Sequence, residues 1–454
     1  SPTRAGLLTG RYQQRFGHEN NPAYDPTNAQ AGLPLTEKLL PQFLREAGYK
    51  TGWIGKWHLG ATPAHAPWNR GFEQTYGFIG GGHMFSGWAI NAQKEYNVPL
   101  TRDGQATADV PTHLTETLGR EAAAFIRRNA GAPWMLYLAF NAVHTPMDAT
   151  PDRLAKFASI KDKTRRTYAA MMSAMDDNIG RVIKALKDSG QYENTLVTFI
   201  SDNGGPTMNG VTVNGSVNAP LRGSKRTTLE GGIRVPFIVS WPARLKPAVF
   251  DPITVQLDLH ATALAAAGVP AKAEWKLEGV NLLPYLSGEN KAAPHDVLYW
   301  RFGEQMAIRQ GDWKLIQYDV HGGRVRETQL FNLRDNPEEL LAQHRAPEVI
   351  ALTGHTPSVE QVNLAGDPRH AAKLRELRAL VDAWVVESGD TGDRIVDETA
   401  PAGTGFLADV VRAGVAFTPD GKTMTEEAII SEITRINAEL KGRSSYLSVI
   451  GVCT

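Results

Sequence analysis

Apolar positions recur with the 3.6-residue period of a half-buried helix over residues 36–47, 112–129, 164–188, 257–268 and 369–386. In 112–129 the in-phase residues are Leu114, Leu118, Ala122, Phe125 and Ile126, with Gly131 as a stop. In 164–188 they are Tyr168, Met171, Met172, Met175, Ile179, Val182, Ile183 and Leu186, which predicts a long helix with a methionine-filled face. Asp176 and Asp177 flank that stripe and are expected to be exposed or to cap a neighbour. Thr36 is the expected cap of the helix running to Ala47, with Pro41 restricting its first turn.

Short apolar runs at 51–55, 134–140, 195–200 and 237–240 alternate with these helices and predict strands, those at 51–55 and 195–200 buried and that at 134–140 continuously apolar, of the parallel type. Beyond about residue 290 the pattern changes. Short strands at 297–302, 305–309, 313–318 and 329–333, with turns at Gly311 and Gly322-Gly323, predict an antiparallel sheet. The helix at 369–386 can cover it through Leu374, Leu377, Leu380, Val381 and Trp384. The expected organisation is an α/β domain over 1–290, an antiparallel-sheet plus helix subdomain over 291–390, and a tail of unassigned role over 391–454.

Composition narrows the function classes. A chain of 454 residues, 42% hydrophobic, can bury a large core. Lys and Arg equal Asp and Glu at 48 each, so no global field recruits nucleic acid or an anionic membrane, and substrate attraction must be local. Cys453 is the only cysteine, which excludes an intrachain disulfide framework. No apolar run reaches membrane-spanning length, and the first residues lack a signal-peptide pattern.

Candidate chemistry sits at the ends of the predicted elements. Ser1-Pro2-Thr3-Arg4-Ala5-Gly6-Leu7-Leu8-Thr9-Gly10-Arg11 reads as a short Pro-led helix, and Arg4 in its first turn offers a planar donor fork suited to a sulfate, a phosphate or an attacking nucleophile. Lys56 and His58 follow the 51–55 strand, where open α/β sheets place their ligands; a solvated lysine beside a satisfied turn histidine is the other reading. The aromatic, Gly-rich stretch 71–88 suits a loop lining a pocket, with His83 either touching substrate or buried. His144, just beyond the 134–140 strand, is either a turn hydrogen-bonder or a catalyst. In Ser201-Asp202-Asn203-Gly204-Gly205 the side chains supply hard oxygen ligands for Ca2+ or Mg2+, or a plain Asx-turn. The 220–236 stretch carries Lys225, with Glu230 and Arg234 expected to hold the loop by pairing.

Taken in order, these strings resemble the formylglycine-dependent sulfatases, of the arylsulfatase-like branch of the alkaline-phosphatase superfamily. Ser1 to Arg11 resembles the first signature, Gly48 to Gly60 the second, His144-Thr145-Pro146, Asp202-Asn203-Gly204 and Arg222-Gly223-Ser224-Lys225 the later ones. The resemblance implies an alkaline-phosphatase-like α/β/α sandwich with a large mixed sheet and a small C-terminal α+β subdomain. It implies sulfate-ester hydrolysis of a small-molecule or glycan substrate, with a sulfated carbohydrate or an aryl sulfate preferred, and a periplasmic or secreted setting. By resemblance, Asp202 and Asn203 hold Ca2+, with Mg2+ as the alternative, and formylglycine arises from a Cys expected immediately before Ser1. Arg4 and Lys56 stabilise its hydrate, His58 assists breakdown of the sulfated hemiacetal, Lys225 binds the sulfate, His144 protonates the leaving oxygen, and His83 is a further substrate contact.

Some features depart from that pattern. Residues 340–358 look inserted, 391–454 have no counterpart, and the family's strand carrying paired metal-binding aspartates is not found before Ser1. The ending Gly451-Val452-Cys453-Thr454 loosely resembles what precedes the family's nucleophile, so a head-to-tail rearrangement bringing Cys453 toward Arg4 is a minor expectation. A phosphate or phosphonate ester hydrolase of the same superfamily and a non-catalytic sulfated-glycan binding protein are the competing readings.

Overall fold

A computed structural model describes residues 1–86, 94–208, 211–303, 305–318, 327–341 and 362–388. The tail 391–454 with Cys453, the Gly322-Gly323 turn, and all but the first residues of the 340–358 stretch lie outside the described residues.

In chain order the elements are α1 (Pro2–Thr9), α2 (Leu40–Glu46), β1 (Lys50–Lys56), β2 (Gln74–Phe78), β3 (Thr101–Arg102), β4 (Gln105–Ala106), α3 (Leu114–Arg128) and β5 (Trp134–Ala139). Next come α4 (Pro151–Lys156), α5 (Lys163–Asp188), β6 (Val197–Ile200), β7 (Thr207–Met208), β8 (Val211–Thr212), α6 (Glu230–Ile233) and β9 (Phe237–Ser240). The chain continues with α7 (Leu257–Ala266), α8 (Leu283–Leu286), β10 (Val297–Phe302), β11 (Gln305–Gln310), β12 (Trp313–Tyr318), β13 (Glu327–Asn332) and α9 (Ala371–Glu387).

These elements form two compact units, Ser1–Asp202 with Pro236–His295, and Asn203–Val235 with the residues from Asp296 onward. The first contains a mixed sheet of order β4-β3-β2-β1-β5, in which β1 runs parallel to both β2 and β5 while β3 and β4 add antiparallel at one edge. Period-two alternation along β1 divides its side chains between two layers. Ile54 packs with Leu118, Ala122 and Phe125 of α3 and Met171 of α5, whereas Trp53 packs with Ala5 and Leu8 of α1. Each fully buried Leu or Phe in these clusters contributes about 1.5–3 kcal/mol relative to exposure. Helices therefore cover both faces, giving an α/β class as expected.

Small residues set how closely the layers meet. A Cβ at Gly119 would lie 2.2 Å from Asn178 Oδ1, and a Cβ at Gly52 would lie 2.4 Å from the Phe125 ring. The fully buried line of α5 is accordingly Ala170, Met171, Ala174, Asn178, Ala185 and Leu186, so small residues carry much of the contact assigned to the methionines. Asp176 and Asp177 are exposed, as expected, and Asp177 pairs with Arg153 at 2.7 Å.

Two expectations are corrected. The helix expected from Thr36 starts at Leu40, because Pro41 has no N–H and its ring is tolerated only in a first turn. Gln42 then closes the start, its Oε1 accepting the Leu39 N–H at 2.8 Å. The 195–200 strand is not sheathed on both sides: β6 pairs antiparallel with β9 and leaves Thr198 exposed. Polar Thr198 interrupts the run, which reads as continuous only when threonine is counted with its apolar neighbours.

The second unit holds an antiparallel meander, β10-β11-β12-β13. Helix α9 packs on it through Leu377, Val381 and Trp384, the last stacked on Tyr299 at 4.9 Å and 8°. Among the described residues, no helix is long and apolar enough to cross a membrane.

Candidate active site

Helix α1 forms because Pro2 fills its first turn and Gly10 ends it with φ 69°, donating its N–H to Gly6 O at 2.8 Å. Ala5, Leu8 and Thr9 are buried and fix one side of the helix. Arg4 is aimed at β5 and at the residue after β6: Nη1 donates to Tyr137 Oη at 3.0 Å, and Nη2 to Asp202 Oδ2 at 3.1 Å. Thr3 Oγ1 adds a 2.6 Å bond to Asp202 O, so the helix start and the strand end are laced together. Burial works against the Arg4 charge, but Tyr137 and Asp202 outweigh it and hold the guanidinium pKa above its ordinary value.

Lys56 is the last residue of β1 and is 5% exposed. His58 follows with φ 60°, a left-handed conformation that costs on the order of 1–3 kcal/mol in a non-glycine residue and concentrates at functional sites. The turn is pinned beyond β2, with Trp57 N–H on Phe78 O at 3.0 Å and His58 N–H on Ile79 O at 3.1 Å. His58 O accepts from Ser1 Oγ at 2.5 Å.

Electrostatics show which groups crowd His58. Its pKa lies well below the ordinary imidazole value, first through burial and then through the positive fields of Lys56, Arg4 and His144. The ring is therefore neutral at pH 7. Its Nδ1 and the Arg4 Nε are buried with no hydrogen-bond partner among the described residues. Lys56, His58, Arg4 and His144 are thus brought together by the first unit.

His144 is oriented through Nδ1, which lies 2.6 Å from Thr145 O. A carbonyl only accepts, so this contact places a proton on Nδ1. The Tyr96 ring meets His144 edge-on at 6.4 Å.

His83 is the exception. It is 1% exposed, with Nδ1 2.7 Å from Met84 O and Nε2 3.0 Å from Val98 O. Burial lowers the His83 pKa and favours the neutral ring, so one nitrogen donates to a carbonyl of its own loop while the other faces the second carbonyl, and the expected substrate contact becomes a loop clamp.

Asp202 is the last residue of the first unit and Asn203 the first of the second. The Asp202 side chain is 34% exposed. A carboxylate and an amide oxygen suit a hard cation in kind, but in number they fall short of the roughly six to eight oxygens that Ca2+ takes. Among the described residues no group of three His, Cys, Asp or Glu side chains could hold a metal. Any further ligands would come from backbone, substrate, solvent or residues outside the described set.

In the second unit, Lys225 is half-buried and its N–H donates to Gly205 O at 3.1 Å, tying its loop to the turn that begins at Asn203. The expected Glu230–Arg234 pairing is replaced. Glu230 is buried and binds Lys314 Nζ at 2.8 Å, while Arg234 is exposed and donates only its backbone N–H to Glu230 O. Lys314 comes from β12, 84 residues away, a partner that no local spacing reveals.

Sequence reasoning also missed Tyr137 and Asn218. Tyr137 sits within an apolar run where its hydroxyl carries no signal. Asn218 lies in a stretch rich in Asn, Gly and Ser that reads only as loop.

The sulfatase family model matches residues 1–269, and a model described as N-sulphoglucosamine sulphohydrolase, C-terminal, matches 223–357. Human N-acetylgalactosamine-6-sulfatase is 34% identical over 333 residues, 69% of this chain and 61% of its own length. Uncharacterized sulfatase YdeN of Escherichia coli is 32% identical over 325 residues, 66% of this chain and 55% of its own. The chain thus spans between 55% and 61% of the length of these two relatives. The crystal structure of Ps i-CgsB in complex with k-i-k-neocarrahexaose superposes with a TM-score of 0.72 at 29% identity, covering 98% of this chain and 88% of that one.

Proposed function

From a chain that belongs to the sulfatase family of the alkaline-phosphatase superfamily, we propose a sulfuric ester hydrolase that cleaves sulfate esters of a carbohydrate or an aryl alcohol by a formylglycine mechanism with Ca2+. The observation that carries this reading is the crowd of cationic and imidazole groups, Arg4, Lys56, His58 and His144, whose combined field marks a place for an anion. The carbohydrate preference is supported by the k-i-k-neocarrahexaose with which Ps i-CgsB forms its crystalline complex.

Geometry supports each role. Arg4, braced by Tyr137 and Asp202, holds its fork in one orientation and stabilises negative charge at its free edge. Lys56 adds a compact positive charge at the end of β1. His58, kept neutral, accepts and returns a proton. His144, held by its Nδ1–H on Thr145 O, acts as the imidazolium: it gives its second proton from Nε2 to the departing alcohol oxygen and is left as the neutral ring. Lys225 is the sulfate contact. Asp202 and Asn203 would hold the divalent cation, which when bound neutralises sulfate oxygens.

The test is to assay the whole enzyme on the sulfate and phosphate esters of one phenol. A higher kcat/KM on the sulfate ester is expected. A preference for phosphate would replace the reading by a phosphate ester hydrolase. Calorimetric binding of a sulfated sugar with no turnover would replace it by a glycan-binding protein.

A further inference from the structure

The segment following Asn203 and the loop carrying Lys225 are joined by one side chain. Asn218 Oδ1 accepts the Gly205 N–H at 2.8 Å, and its Nδ2 donates back to Gly205 O at 2.8 Å. The same Nδ2 lies 2.9 Å from Thr207 Oγ1 and 3.1 Å from Gly223 O. A primary amide has a donor and an acceptor in one plane, so it pairs with the two backbone groups of Gly205 as a neighbouring strand would. Its remaining donor capacity then reaches the glycine two residues before Lys225. These partners fix the amide orientation, since the oxygen must face the N–H and the nitrogen the carbonyls.

Gly205 is the hub of this arrangement. Its carbonyl receives both Asn218 Nδ2 and the Lys225 N–H, the latter at 3.1 Å. A Cβ there would lie 2.2 Å from Ser216 Oγ, so the close approach requires glycine. Gly204 N–H is held in turn by Gly232 O at 2.9 Å. Asn203 is two residues from the hub and Lys225 is bonded to it directly, so a shift of Gly205 moves both.

We propose that Asn218 is a positioning residue which sets the spacing between Asn203 and Lys225 and through it the affinity of the Lys225 loop for sulfate. The proposal rests on the sulfatase reading of these two residues. Asn218→Asp is the sharpest change, being equal in size but unable to donate: a carboxylate would face the carbonyl oxygens of Gly205 and Gly223. Residues that orient ligating groups in this way change affinity or activity by roughly 10–100-fold when altered.

The test uses the whole protein with two readouts. Amide hydrogen exchange without metal should accelerate at Gly205 and Lys225 in Asn218→Ala, with α3 and α5 unchanged. Calorimetric binding of inorganic sulfate in the presence of Ca2+ should weaken roughly 10–100-fold in Asn218→Ala and Asn218→Asp. The Asn218→Ala, Lys225→Ala double variant should bind no more weakly than Lys225→Ala alone, because the first change acts through the second residue. Additive losses, or unchanged exchange at Gly205 and Lys225, overturn the proposal. If Lys225→Ala weakens sulfate and Asn218→Ala does not, this inference alone falls. If Lys225→Ala leaves sulfate affinity unchanged, the sulfatase reading of Lys225 falls and this inference with it. Should Asn218→Ala fail to fold, Asn218→Ser, which keeps one hydroxyl in place, gives the same comparison.

Discussion

Two buried lysines, one in each unit, meet opposite surroundings. Lys314 is fully buried between two carboxylates, with Nζ 2.8 Å from Glu230 Oε1 and 2.6 Å from Glu339 Oε1. Glu230 N–H donates to Glu339 Oε2 at 2.7 Å, which closes the cluster on the loop leading away from Lys225. Burial pushes the Glu339 carboxyl up despite Lys314, whereas Glu230, with Lys314, Arg309 and Arg234 near it, ends below the usual carboxylate range. Lys56 is nearly as buried but adds its field to those of Arg4 and His144 around His58. A buried cation enclosed by carboxylates serves the fold, while one placed among other positive groups raises the local positive field.

The strongest way to break the contrast is Lys314→Ala. It strands two buried carboxylates, and removing one partner of such a cluster costs about 3–5 kcal/mol. Denaturant unfolding should report that loss, together with an unfolded second unit by hydrogen exchange. Arg4→Lys should do the reverse. Losing the planar fork should lower kcat/KM by roughly 100–1,000-fold, as for other preorganised donors to developing charge, with the unfolding midpoint nearly unchanged.

Acid titration separates the regions further. His260 is buried with Nδ1 3.1 Å from Leu8 O, and burial pushes its pKa down to about 4, against the raising effect of Leu8 and Leu7 backbone. A histidine depressed in the folded state is protonated first in the unfolded chain, so stability present above about pH 6.5 is lost as pH falls toward 4. The loss is about 3 kcal/mol for His260 from the difference of its two pKa values, at 1.36 kcal/mol per unit. His58 adds to it with the same sign. Arg4→Met should raise the His58 pKa toward the ordinary value and reduce this acid sensitivity; an NMR titration showing no upward shift would remove Arg4 from the crowd. The smallest effect belongs to Tyr137→Phe. It deletes one hydrogen bond to a charged group and should lower kcat/KM by about 10-fold, corresponding to roughly 1.5 kcal/mol, with KM on an aryl sulfate changing less than kcat.

Much of this molecule was legible along the chain. The 112–129 and 164–188 periodicities became α3 and α5 within two residues at each end, and the meander appeared where short strands and glycine turns predicted it. Such elements are set by local rules, a repeat of apolar positions and a few stop residues. Pro41 was legible too, as a limit on α2, although the new start at Leu40 depended on Gln42 folding back onto the Leu39 N–H. His83 illustrates the opposite case. Its loop reads as a pocket lining, yet both nitrogens face carbonyls of Met84 and Val98 and not open space, and nothing in residue type announces that.

By itself the sequence determined which residue types stand at the ends of which elements, and therefore the family of the chain and the membership of Arg4, Lys56, His58, His144, Asp202, Asn203 and Lys225 in its motifs. Tertiary structure alone decided their partners. Tyr137 meets Arg4 across 133 residues and Lys314 meets Glu230 across 84, because close packing of layers, and not chain spacing, chooses which polar groups must satisfy one another once water is excluded.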